Sequence, residues 1–67
     1  MYQFRREDTA LVAARLLAVY ERKPILVMAR GGMDLFTVGP LNNPAVHQAG
    51  QHMATVHHTG QVDYRRT

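Results

Sequence analysis

The chain contains no cysteine and no serine. Without cysteine there is no disulfide, no thiolate metal ligand and no thiol nucleophile. Without serine the usual hydroxyl nucleophile is gone too, and only threonine remains for that role. Long apolar runs are missing, since no stretch approaches the ~20 residues that span a bilayer. The opening "MYQFRRED" lacks the basic-then-apolar order of a secretory leader. Gly31-Gly32 is not followed by the helix and lysine of a phosphate-cradling loop. These absences lead us to expect a cytoplasmic chain with no membrane association and no cofactor.

What is present is small and basic. Sixty-seven residues form one domain, 1–67. A chain of this size buries only ~60% of the surface it exposes when unfolded, so it needs a staple or a sufficient core. With disulfides excluded, the staples left are a histidine-bound metal or a second subunit. Hydrophobic residues make up 46% and charged residues 19%, which is a globular balance. The net charge is +3, and seven of the eight basic residues are arginine, whose planar fork suits phosphate and carboxylate partners.

The first element is a helix from about Asp8 to Arg22. Asp8 or Thr9 can cap it, and Pro24 stops it. On a helical wheel Val12, Ala13, Leu16, Leu17, Val19 and Tyr20 share one broad apolar arc, which is expected to face the core. Arg15, Ala18, Arg22 and Leu11 lie opposite, on the expected wet side. In "PILVMARGGMDLFTV", Gly31-Gly32 between apolar runs signals a two-residue hairpin turn. That turn pairs Arg30 with Met33, Met28 with Leu35 and Leu26 with Thr37. Both faces of this hairpin are apolar, and one helix covers only one of them. The other calls for the rest of the chain, a second subunit or a target.

Asn43-Pro44 reads as the cap and first residue of a short helix stopped by Gly50, with an ordered loop as the equal alternative. A second hairpin follows in "HMATVHHTGQVDYRR". A three-residue loop with a left-handed Gly60 pairs Val56 with Val62 and Ala54 with Tyr64, collecting the apolar residues on one face. The expected fold is α+β: an N-terminal helix on a four-stranded antiparallel sheet of two hairpins, in the order α-β-β-short α-β-β. The helix followed by "KPILVMARGGMDLFTV" resembles the opening of Sm-like barrel proteins over the first half of the chain. Their fifth strand and RNA-binding signature are missing. This resemblance implies a small bent-sheet barrel as the alternative fold.

All four histidines, His47, His52, His57 and His58, fall in "HQAGQHMATVHHTGQ". A zinc site needs three or four convergent ligands. Strand alternation sends His57 and His58 to opposite faces. His52 and His58 share a face but lie six residues, about 20 Å, apart at ~3.3 Å per residue. One chain could join His47 and His52 at most, and only a dimer axis running past these residues could assemble more, so no metal is assigned. His57 should lie diagonally across the hairpin from Asp63, beside Thr55, Gln61 and Arg65 on the polar face. A carboxylate-oriented imidazole near arginine is one part of a metal-independent ribonuclease site, which makes a toxin-like nuclease one alternative function.

Binding without catalysis is the favoured reading. The doubly apolar first hairpin, the adaptable methionines Met28, Met33 and Met53, and the small size point to a protein target and a homodimer. Regulators and phage-type inhibitors that occlude host machinery fit this description. Arginines interleaved with Tyr2, Phe4 and Tyr64 make RNA or DNA binding the second reading. The partner-binding candidates are Arg5, Arg6, Arg15, Arg22, Arg30, Met33, Leu35, His57, Tyr64, Arg65 and Arg66. No catalytic residue is assigned.

Overall fold

A computed structural model describes residues 1–32 and 34–65. Helix α1 spans Glu7–Glu21, one residue earlier at each end than expected. Arg6 holds the N-cap position without a side-chain capping bond. Asp8 lies inside the first turn, where its Oδ1 accepts from the Thr9 amide at 2.8 Å. Arg6 grips the same carboxylate through Nε at 3.1 Å and Nη2 at 2.9 Å. Arg22 closes α1 in the left-handed conformation, with φ of 54°, and Pro24 prevents any continuation.

The rotation of α1 differs from the wheel reading. Ala10, Ala14 and Ala18 are fully buried, with Leu11 and Leu17 packed beside them, while Val12, Leu16, Val19 and Tyr20 face outward. The arc expected in the core is therefore split: Leu17 goes in, and four of its bulky members stay out. The alanines recur every fourth residue, so they form a smooth stripe along which the helix backbone can approach the sheet. Ile25, Val27, Val38 and Val56, all fully buried, fill the space from the sheet side. Each such side chain contributes about 1.5–3 kcal/mol on burial. Leucine or tyrosine in place of the alanines would hold the helix off this layer.

Among the described residues the sheet has five strands: β1 (Tyr2–Phe4), β2 (Ile25–Arg30), β3 (Leu35–Pro40), β4 (Gln51–Val56) and β5 (Val62–Tyr64). Helix α2 is Pro44–His47. All pairings are antiparallel, and the strand order is β1-β3-β2-β4-β5. β1 is additional to the four strands expected. The sheet is open, with β1 and β5 as its edges, and is not the closed barrel that the Sm-like resemblance implies.

In the first hairpin Arg30 pairs with Leu35 and Val27 with Val38. This register is slipped by two residues from the expected one, because β2 ends at Arg30 and β3 begins only at Leu35. A two-residue slip changes partners but leaves the paired residues of β2 and β3 on their expected faces. The second hairpin has the expected register, Ala54 with Tyr64 and Val56 with Val62. Its loop closes through His57 N–H to Gln61 O and Gly60 N–H to His57 O, each 2.9 Å. Gly60 has φ of 93°, which glycine adopts without a Cβ penalty.

The sheet face away from α1 is covered by the chain itself. Asn43 Oδ1 accepts from the Ala45 amide at 3.1 Å, capping α2 as expected. α2 sets fully buried Val46 over Leu26 and Met28, which are also buried. Gly39 makes this approach feasible, since a Cβ there would collide with the Val46 side chain. The second hairpin face is thus no longer an unmatched apolar surface, and a dimer cannot be argued from it. The unmatched surface lies on α1. Among the described residues, no helix is long and apolar enough to cross a membrane.

Candidate functional site

Among the described residues, six of the eight exposed large apolar side chains lie on one side of the molecule: Met1, Tyr2, Val12, Leu16, Val19 and Tyr20. Val12, Leu16, Val19 and Tyr20 retain 56%, 68%, 62% and 87% of their accessible surface. They fall at i, i+4, i+7 and i+8, so they form one continuous stripe on the helix, opposite the alanines. β1 extends the patch. Tyr2 and Phe4 pair with Val38 and Phe36, which places both aromatics on the helix side of the sheet. Two depressions follow the seam between α1 and β1. One, about 250 Å³, is lined by Tyr2, Phe4, Ala13, Leu16 and Leu17. The other, about 290 Å³, lies beyond Tyr2 and is bordered by Met1, Tyr20 and Glu21. Contiguous apolar surface of this kind marks an interaction site more often than scattered apolar residues do.

The electrostatics of this side are lopsided. Because Ala13 and Leu17 face β1, helical geometry puts Arg15 and Arg22 on the opposite flank of the stripe. Arg15, Arg22 and Lys23 are exposed. Asp8, the acidic residue on that flank, is already held by Arg6 in a solvent-exposed ion pair. That contact lowers the Asp8 pKa from its ordinary value, the hydrogen bond from Arg6 being the main cause and the Thr9 amide the next. The outer stripe is therefore apolar with a basic flank.

The residues singled out in the sequence fall in three places. Arg5 and Arg6 connect β1 to α1, while Arg15 and Arg22 flank the apolar stripe. Arg30 and Leu35 pair at the end of the β2–β3 hairpin. His57, Tyr64 and Arg65 gather around β5. Met33 and Arg66 lie outside the described residues. The structure does not bring these groups into one site. Sequence reasoning missed Val12, Leu16, Val19 and Tyr20 as surface because it counted them as core, whereas Tyr2 was read as an exposed aromatic and is one. The alanine repeat at positions 10, 14 and 18 was the available sign of a second, flatter packing face.

The sheet face away from α1 carries most of the histidines. β4 contains a bulge where Ala54 pairs with Val27 and His52 with Met28, leaving Met53 unmatched. The extra residue reverses the alternation. His52 thereby joins Thr55 on this face instead of lying on the Ala54–Val56 side, and its Nε2 lies 2.8 Å from Thr55 Oγ1. His47 and His52 flank a pocket of about 270 Å³ over Leu26 and Met28. His47 Nε2 donates to Leu41 O at 2.6 Å. His58 lies exposed in the turn and does not share a strand face with His52. Among the described residues, no three histidine or carboxylate side chains converge.

His57 Nε2 and Asp63 Oδ2 are 2.8 Å apart, as the hairpin register required, and Gln61 Nε2 donates to Asp63 Oδ1 at 2.9 Å. The Gln61 hydrogen bond and then the His57 contact hold Asp63 below the usual carboxylate range. A depressed folded-state pKa stabilises the fold above the ordinary carboxylate pKa, and that contribution fades as pH falls through the lowered value. Gln61→Ala should move the Asp63 titration upward, toward an unperturbed carboxylate, in a carbon-detected NMR titration. An unmoved midpoint would show that Gln61 does not set it.

Comparison with known protein families, with curated proteins and with solved structures gave no match. The site is therefore read from its own chemistry. The His57–Asp63 pair is an exposed cross-strand contact whose carboxylate is already doubly engaged. The α1–β1 surface, by contrast, holds six of the eight large apolar side chains exposed among the described residues.

Proposed function

We propose that this chain is a small protein-binding regulator or inhibitor that acts by occlusion, without catalysis. It docks the outer stripe of α1 on a target protein. The observation that carries this reading is the exposure of Val12, Leu16, Val19 and Tyr20 on a helix that already has a complete packing face in its alanines. An amphipathic helix laid into an apolar groove is anchored at this spacing. Arg15 and Arg22 on the flank favour a target whose groove has an acidic rim, which speeds encounter more than it tightens the complex.

A photo-crosslinkable residue at position 16 tests this in the cells that make the protein, with the same residue at position 58 as the control. Position 16 should give an adduct with a different protein chain that survives nuclease treatment, and position 58 should not. Adducts only with a second copy of this chain, adducts lost with nuclease, or equal labelling from both positions would overturn target docking.

A further inference from the structure

We infer that the pocket between His47 and His52 binds a small aromatic carboxylate, and that one proton enters with it. The pocket lies on the sheet face away from α1, so it shares no residue with the docking stripe. Buried Leu26 and Met28 and exposed Leu41 supply its apolar lining, and His47, His52 and Thr55 its polar groups. An aromatic ring suits this lining, since a thioether such as that of Met28 packs favourably against aromatic carbon. Two separate features of the fold bring the imidazoles together here. α2 ends on His47, and the β4 bulge turns His52 to this side. Bulges recur where a side chain is re-aimed toward a site.

The charge around the pocket is of one sign. Leu41 also lines a second apolar depression, of about 350 Å³, which carries Lys23. His52 also lines a third, of about 290 Å³, which carries Arg65. Among the described residues, no carboxylate lines any of the three. The hydrogen bonds then fix which ring atoms are left for a ligand. Leu41 O can only accept, so His47 carries its hydrogen on Nε2. Nδ1 is the remaining ring nitrogen, and in a neutral ring it is an acceptor. A carboxylate therefore pairs with His47 only when a proton is taken up at Nδ1, which makes the hydrogen bond charge-assisted. Thr55 Oγ1 sits at Nε2 of His52 and can donate to it, leaving Nδ1–H of that ring to donate without a ring charge. The bound state is thus one anion, one added proton and two Nδ1–H donors.

The test is amide NMR of the full chain, titrated with phenylacetate and with its neutral isostere phenylacetamide. At about pH 6 phenylacetate should bind about tenfold more tightly than the amide, shifting the signals of Leu41, Val46 and His52. At about pH 8, above the range in which histidine ordinarily charges, that advantage should fall about tenfold. His47→Gln and His52→Gln test the assignment, because a glutamine amide can replace the Nε2 contact but offers nothing at Nδ1. Each should fold and lose about tenfold in phenylacetate affinity, while His58→Gln keeps it. No saturating shift by about 10 mM phenylacetate, or equal affinity for acid and amide, overturns the proposal. So does an advantage that is the same at both pH values, or a folded glutamine variant at 47 or 52 that binds as tightly as the unmodified protein. The acid, amide and pH comparisons use the unmodified chain, so they decide even if a variant unfolds. Capture through position 16 reads the opposite side of the molecule and stands or falls on its own.

Discussion

Ala14→Leu should destabilise the fold by about 3 kcal/mol, although it only enlarges an apolar side chain. Ala14 is fully buried between α1 and a sheet layer of Ile25, Val27, Val38 and Val56. Three added carbons have no void to enter, so either the helix rises from the sheet or neighbouring side chains leave their rotamers. A domain of this length is stable by roughly 3–10 kcal/mol in all, so the loss is a large share. The midpoint of thermal unfolding should drop by about 15 °C. Leu16→Ala removes a larger side chain and should change stability by less than about 0.5 kcal/mol, because Leu16 faces solvent. Ordinary expectation, that leucine is core and alanine filler, ranks these two variants the other way. If Leu16→Ala unfolds the protein and Ala14→Leu is tolerated, α1 is rotated by half a turn and the docking stripe does not exist.

Leu16→Glu should leave folding intact and weaken target binding about 100-fold, near 2.7 kcal/mol. Glutamate is almost as good a helix former as leucine, and the side chain is in water in the free protein, so stability is little affected. In the complex Leu16 sits at the middle of the stripe, with Val12 one turn before it and Tyr20 one turn after. A carboxylate there loses its hydration without gaining a partner, which costs more than the leucine contacts alone. The measurement is a calorimetric titration of the protein captured through position 16, paired with denaturant unfolding of the variant. Unchanged affinity would remove the stripe from the interface. Raising salt should slow association with only a modest loss of affinity, since Arg15 and Arg22 flank the stripe and do not form its centre.

Local rules recovered the elements whose causes are local. Asn43 and Pro44 announce α2 because a side-chain acceptor and a missing amide suit the first turn wherever it occurs. Gly60 sets the second hairpin because its left-handed φ admits one register in which Ala54, Val56, Val62 and Tyr64 share a face. The His57–Asp63 contact followed from that register alone. Other features depend on partners distant in sequence. Tyr2-Gln3-Phe4 is too short to show alternation and becomes a strand only because β3 has a free edge. The β4 bulge, which turned His52 to the other face, arises where β4 must match β2, and nothing within "QHMATV" marks it.

Composition and pattern, then, were enough by themselves to establish an α+β chain with an N-terminal helix, two hairpins, and no cysteine or serine to build on. They could not decide which side of α1 is inside. Apolar residues surround most of that helix, so its hydrophobic periodicity has two solutions, one with the large side chains buried and one with the alanines. Only the sheet chose between them. Its valines and isoleucine already fill the core layer, the alanine stripe alone can close against it, and the larger side chains are left in water as the surface from which function is read.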